Sequence, residues 1–106
     1  MAYNQPAGLL TVNPNEFHEA MSGDHFLLDV RTRGEFSQGH IDGATLIPIN
    51  ELQSRILELE IHKNKSILVY CLSGARSSSA ANYLASLGFS SVLNLRGGIT
   101  SWRAYK

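Results

Sequence analysis

The chain has 106 residues, room for one domain around a single core. With 43% hydrophobic and 17% charged residues it is too apolar and too weakly charged to remain disordered. Nine Lys and Arg balance nine Asp and Glu, so no basic excess offers itself to nucleic acid or an anionic membrane. Residues 1–8 read as a loose tail and residues 9–106 as the domain.

From Leu9 onward, short apolar runs alternate with segments of helical period, the pattern of an α/β domain. Strands are expected at Leu9–Val12, Phe26–Val30, Thr45–Ile47, Ser66–Cys71 and Val92–Leu95. The second and fourth are apolar almost without alternation, as strands buried on both faces are, which places them mid-sheet. Asn13, Pro14 and Glu16 supply an N-cap, a first-turn proline and a capping-box acid, and Phe17, Ala20 and Met21 follow as an apolar stripe. Thr32 with Glu35, and Asn50 with Gln53, repeat the capping-box spacing. After Asn50, the stripe Leu52, Ile56 and Leu59 predicts one core-facing helix. Arg76 to Leu87 is the longest predicted helix, stopped by Gly88, and a short helix over Ile99–Ala104 follows the turn at Gly97 and Gly98. A five-stranded, mainly parallel sheet flanked by helices on both faces is the economical α/β architecture, a three-layer sandwich.

The longest apolar run, Ile67 to Leu72, is six residues, against the ~18 or more that span a bilayer. No signal-peptide pattern opens the chain. A soluble, cytoplasmic, monomeric protein is expected, without nucleic-acid or membrane partners. The single cysteine, Cys71, excludes an internal disulfide and a multi-cysteine zinc site. Four histidines lack metal-ligand spacing, so no metal is expected.

The chemistry concentrates where the fourth strand ends. Cys71 follows the strand, Leu72, Ser73, Gly74 and Ala75 form a tight loop, and Arg76 opens the longest helix. Ligands bind outside the carboxyl ends of strands in open α/β sheets. A loop there turns backbone N–H groups inward, and the helix adds its positive dipole end. A thiol over such a nest ionises readily and becomes a nucleophile. The bland alternative is a buried cysteine acting as a small hydrophobe.

The run Cys71, Leu72, Ser73, Gly74, Ala75, Arg76, Ser77 resembles the active-site loop of single-domain rhodaneses, the sulfurtransferase family. Leu28, Asp29, Val30 and Arg31 with Glu35 and Phe36 resemble the family's first signature. Gly39, His40, Ile41, Asp42, Gly43 and Ala44 resemble its second, and Leu95 to Ile99 with Trp102 its C-terminal one. The resemblance implies the rhodanese-like sandwich and a persulfide mechanism. Cys71 would take the outer sulfur of a donor such as thiosulfate or a persulfide. It would then pass that sulfur to cyanide or to a thiol acceptor, small molecule or protein. Leu72, Ser73, Gly74, Ala75 and Arg76 would cradle the charge, and no cofactor is implied. Cys71 to Arg76 is C-x4-R, the short loop of sulfurtransferases, whereas related phosphatases and arsenate reductases look like C-x5-R. Asp29 and Arg31 are expected to support the loop. Arg76 either faces the anion or pairs a carboxylate. The competing reading is a non-catalytic binding or redox-sensing module.

Overall fold

The computed structural model describes residues 8–106, so the tail read over residues 1–8 lies, apart from Gly8, outside the described residues. The elements in order are β1 (Leu9–Val12), α1 (Pro14–Ala20), β2 (His25–Asp29), α2 (Arg33–Ser37), β3 (Thr45–Leu46) and α3 (Ile49–Leu52). They continue with α4 (Leu57–Glu60), β4 (Ser66–Tyr70), α5 (Ala75–Ser86), β5 (Val92–Leu95) and α6 (Gly98–Tyr105). The strands form one sheet in the order β1-β5-β4-β2-β3, and every pairing is parallel. Parallel neighbours need crossover segments, and the helices supply them.

The continuous apolar character of β4 has the cause expected of it. Ile67, Val69 and Cys71 face a core built with Leu52 of α3, Leu59 of α4 and Ala80, Ala81 and Leu84 of α5. Leu68 and Tyr70 face the opposite core, with Phe17 of α1 and Ile99 and Trp102 of α6. Helices thus cover both faces, and the three-layer sandwich is the observed architecture. Trp102 meets Phe17 edge to face at 6.1 Å, closing the second core. Among the described residues, no helix is long and apolar enough to cross a membrane.

Local signals account for most element starts. Asn13 and Thr32 both cap helices through complete capping boxes, with Glu16 and Glu35 as the returning acids. The expected box at Asn50 does not form. The chain enters α3 from Pro48, Asn50 lies inside the helix, and no side chain caps it. Tertiary contacts set this entry, because the Ile49 N–H donates to Val30 O at 3.0 Å and continues the β2–β3 pairing past the strand end. The single helix expected after Asn50 is likewise two short ones, α3 and α4. Leu52 and Leu59 are still fully buried and Ile56 packs against them. The apolar stripe therefore reaches the core without a continuous helix beneath it.

Candidate active site

β4 is the middle strand of the sheet, and the chain leaves it through Cys71. The turn into α5 closes at Gly74, whose φ of +112° belongs to the left-handed region that favours glycine. The Gly74 N–H donates to Cys71 Sγ at 3.1 Å. Cys71 is 1% exposed, whereas Leu72, Ser73 and Ala75 around it are exposed. The sulfur therefore sits at the floor of the loop, with neutral side chains at its edge.

Two influences oppose each other at the thiol. Burial pushes its pKa up. The Ser77 hydroxyl and the N–H groups of Ser77, Gly74 and Ser73 push it down, and together they win, so the thiol lies below its ordinary value. The one hydrogen of the fully buried Ser77 hydroxyl is aimed at Gly74 O, 3.2 Å away, so the hydroxyl stands between the turn and the sulfur and can serve one or the other. Nothing in the sequence marks Ser77 for this role, since its use depends on the first turn of α5 facing back toward the strand end.

The loop is fixed from below by α6. The Ile99 N–H donates to Cys71 O at 2.9 Å and the Thr100 N–H to Leu72 O at 3.3 Å. With its carbonyls held there, the loop turns its own N–H groups the other way, toward the sulfur. Gly98 makes this clamp possible. Its φ is +62°, and a Cβ built on it would stand 2.4 Å from both the carbonyl carbon and oxygen of Leu72. In the sequence, Gly97 and Gly98 predict a turn, and two adjacent glycines ahead of a helix are also the signal of this close approach.

A buried ion pair supports the neighbouring strand end. Asp29 and Arg31 are 0% and 2% exposed. Arg31 Nη2 reaches Asp29 Oδ2 at 2.7 Å and Gly39 O at 2.8 Å, and Arg31 Nε reaches both carboxylate oxygens. The pair joins the end of β2 to the loop that carries His40 and Ile41. Tyr70, fully buried beside it, accepts the Ile41 N–H on its hydroxyl at 3.1 Å. The His40 ring stacks on Phe36 with centroids 3.7 Å apart, and its Nδ1 lies 3.0 Å from Phe36 O. Asp29 and Arg31 thus tie the end of β2, next to β4 in the sheet, to the Gly39 loop.

Arg76 is held by Glu35. Its Nη1 and Nη2 donate to the two carboxylate oxygens, each at 2.8 Å, in a fork-to-fork pair between α5 and α2. Of the two readings left open for Arg76, the carboxylate pairing is the observed one. The Arg76 guanidinium and the N–H of Thr32 draw the Glu35 pKa down to about 2, against the opposing effect of burial. Glu35 therefore serves twice, as the capping-box acid of α2 and as the partner of Arg76.

The rhodanese-like domain family matches this chain over residues 13–105. A sulfurtransferase of Allochromatium vinosum is 44% identical over 79 residues, covering 74% of this chain and 72% of that one. The thiosulfate sulfurtransferase GlpE of Ectopseudomonas mendocina is 34% identical over 93 residues, 88% of this chain and 84% of that one. Among solved structures, a rhodanese-related protein from Thermoplasma volcanium superposes with a TM-score of 0.80 at 34% identity, covering 90% of this chain and 91% of that chain.

Proposed function

The chain belongs to the rhodanese-like domain family, and on that premise we propose that it is a sulfurtransferase whose Cys71 carries the sulfur as a persulfide. A role in sulfur transfer is what sulfurtransferases 34–44% identical to it support; the donor, the acceptor and the covalent carrier are the proposal. The observation that carries it is the set of donors gathered on one sulfur: Ser77, Gly74 and Ser73 hold Cys71 below its ordinary pKa despite burial.

The Cys71 thiolate attacks the outer sulfur of the donor. The Sγ–S bond forms, the donor's S–S bond breaks, and the leaving group departs with the electron pair, as sulfite from thiosulfate or as a thiolate from an organic persulfide. A thiol or cyanide then attacks the bound sulfur and restores the Cys71 thiolate. The N–H groups that stabilise the thiolate also face the charge on the persulfide, an oxyanion-hole logic applied to sulfur. The steps balance without a metal or organic cofactor. Leu72, Ser73, Gly74 and Ala75 contribute backbone to this cradle, Arg76 fixes the start of α5, and Asp29 with Arg31 ties down the neighbouring strand end. With no second cysteine in the chain, the sulfur must leave to an external acceptor.

The test is thiocyanate production from thiosulfate and cyanide by the wild type and by Cys71→Ser. Activity in the first and none in the second is expected. Equal rates in both would remove Cys71 from the mechanism, and no sulfur uptake by the wild type from any donor would favour the binding-module reading.

A further inference from the structure

Six arginines and three lysines are the side-chain cations of the chain, and their placement around Cys71 has a consistent feature. In the segments that follow β2, β3 and β4, where the site lies, each arginine is matched to a carboxylate. Arg31 pairs Asp29, Arg76 pairs Glu35, Arg33 pairs Glu51, and Arg55 pairs Glu51 and Glu58. Arg96, just past β5, has no carboxylate partner among the described residues, but its side chain turns away from the loop and donates to Thr11 O at 3.1 Å, on the side of β5 away from β4. Arg103 and Lys106 line a groove with His18, His40, Asp42 and Trp102, on the layer opposite α5. Lys63 pairs Glu60 and lies over Phe89, and Lys65 precedes β4 at the far end of that strand. The exposed residues of the loop itself, Leu72, Ser73 and Ala75, are neutral.

We infer that Glu35 is a donor-selecting residue: by holding the Arg76 guanidinium in a two-pronged pair it keeps the rim of the Cys71 site neutral, and so directs the site toward organic persulfides over the small dianion thiosulfate. The inference rests on the sulfur-carrier reading of Cys71 and adds the class of donor. Capturing a small dianion from solution calls for unbalanced positive charge near the site. An organic persulfide is recognised through its organic part, for which the half-exposed Leu72, 42% exposed, offers an apolar contact. In the reaction, Cys71 Sγ bonds to the terminal sulfur of R–S–SH, the donor's S–S bond breaks, and R–S⁻ leaves with the electron pair. The proton stays on the transferred sulfur or moves to the leaving thiolate, and the transferred sulfur keeps its oxidation level. Charge at the rim therefore affects the entry of thiosulfate and leaves the chemistry of either donor to the N–H groups at the floor.

The experiment measures the rate of sulfur loading on the protein, by alkylation quench and intact mass, against the concentration of sodium thiosulfate or of 2-hydroxyethyl persulfide, whose organic part is uncharged. The wild type should half-saturate with thiosulfate above ~1 mM, the upper end of common KM values, and with the persulfide well below that. Glu35→Gln retains an oxygen for the α2 cap and releases Arg76. It should lower the thiosulfate half-saturation about tenfold, the size of one unit charge acting on a dianion at roughly 6 Å in a water-like dielectric. Its maximal rate should stay within about twofold, the split that marks added uniform binding, and its persulfide half-saturation should shift by no more than about threefold, since a monoanion gains half as much. Leu72→Lys adds a cation without touching the pair and should also lower the thiosulfate half-saturation, while its persulfide response weakens because the apolar contact is gone; the thiosulfate gain in both variants should fade as salt rises. Micromolar half-saturation of the wild type by thiosulfate would overturn the inference while leaving Cys71 as carrier. So would an unchanged thiosulfate response in both variants. Absence of loading by either donor would overturn the carrier reading and this one with it.

Discussion

At the floor of the Cys71 site, the Ser77 hydroxyl and the N–H groups of Ser77, Gly74 and Ser73 converge on one sulfur and lower its pKa against burial. At the rim, Arg76 is locked to Glu35, and the exposed loop side chains are neutral. The two levels treat charge in opposite ways. Dipoles fixed at the floor need no reorganisation when charge arrives on sulfur, so they serve the chemical step. Net charge at a rim acts through solvent and governs which ions are captured. A site can therefore be well prepared to stabilise an anion once bound and poorly prepared to collect one.

The largest effect should come from breaking the buried pair at the neighbouring strand end. Asp29→Ala leaves Arg31, 2% exposed, as a buried charge without its partner, a loss of about 3–5 kcal/mol. Urea denaturation would report it as a markedly lower midpoint; a midpoint equal to the wild type's would mean the pair does not brace the sheet end. Next comes a change aimed at the floor alone. Gly98→Ala forces a Cβ to within 2.4 Å of the Leu72 carbonyl, which should cost about 1–3 kcal/mol by overpacking and displace the Cys71–Leu72 peptide. Sulfur loading should slow at least about tenfold, a factor worth about 1.4 kcal/mol in the barrier. Gly23→Ala, where a Cβ meets nothing nearer than 3.9 Å, is the control and should load normally. Loading by Gly98→Ala at the control's rate would separate the clamp from the site.

The smallest effect distinguishes the levels by pH. The Cys71 pKa is lowered in the fold, so its thiolate and the stability that goes with it are present at high pH and lost as pH falls through the folded pKa. Alkylation of Cys71 should show a midpoint below the ~8.5 of a free thiol, and Ser77→Ala should move it upward. The Glu35 carboxyl is also lowered, to about 2. The rim pair is accordingly complete above the ordinary carboxylate range and is lost only as pH falls toward 2. The preference between donors should then stay flat from about pH 5 upward, while Cys71 reactivity falls as pH drops through its own lowered pKa. A preference that titrates there would mean that the rim is set by another group.

Legibility in the sequence followed the range of the interactions. β2 and β4 were readable because burial on both faces leaves nearly unbroken apolar runs, and α5 because its stripe and Gly88 lie close together. The caps at Asn13 and Thr32 were readable because a capping box closes within three residues. Asn50 has the same spacing but not the role, since a bond from Ile49 to distant Val30 sets the entry to α3. At the site, the strand–cysteine–turn–helix order was plain. The Glu35–Arg76 pair, 41 residues apart in sequence, was not, because nothing local ties a capping acid on α2 to the first turn of α5. The α6 clamp was hidden for the same reason: a pair of glycines announces a turn, while the peptide that they approach lies on another strand's end.

Everything at this site depends on Cys71 accepting sulfur from a donor and holding it. Intact-mass analysis of the protein after incubation with glutathione persulfide, or with thiosulfate at saturating concentration, tests it directly. The wild type should gain one sulfur atom, about 32 Da, on an activated thiol, cyanide or a thiol should remove it, and Cys71→Ser should gain none. A wild type unchanged in mass after both donors, or a Cys71→Ser protein that gains the same mass, would contradict it.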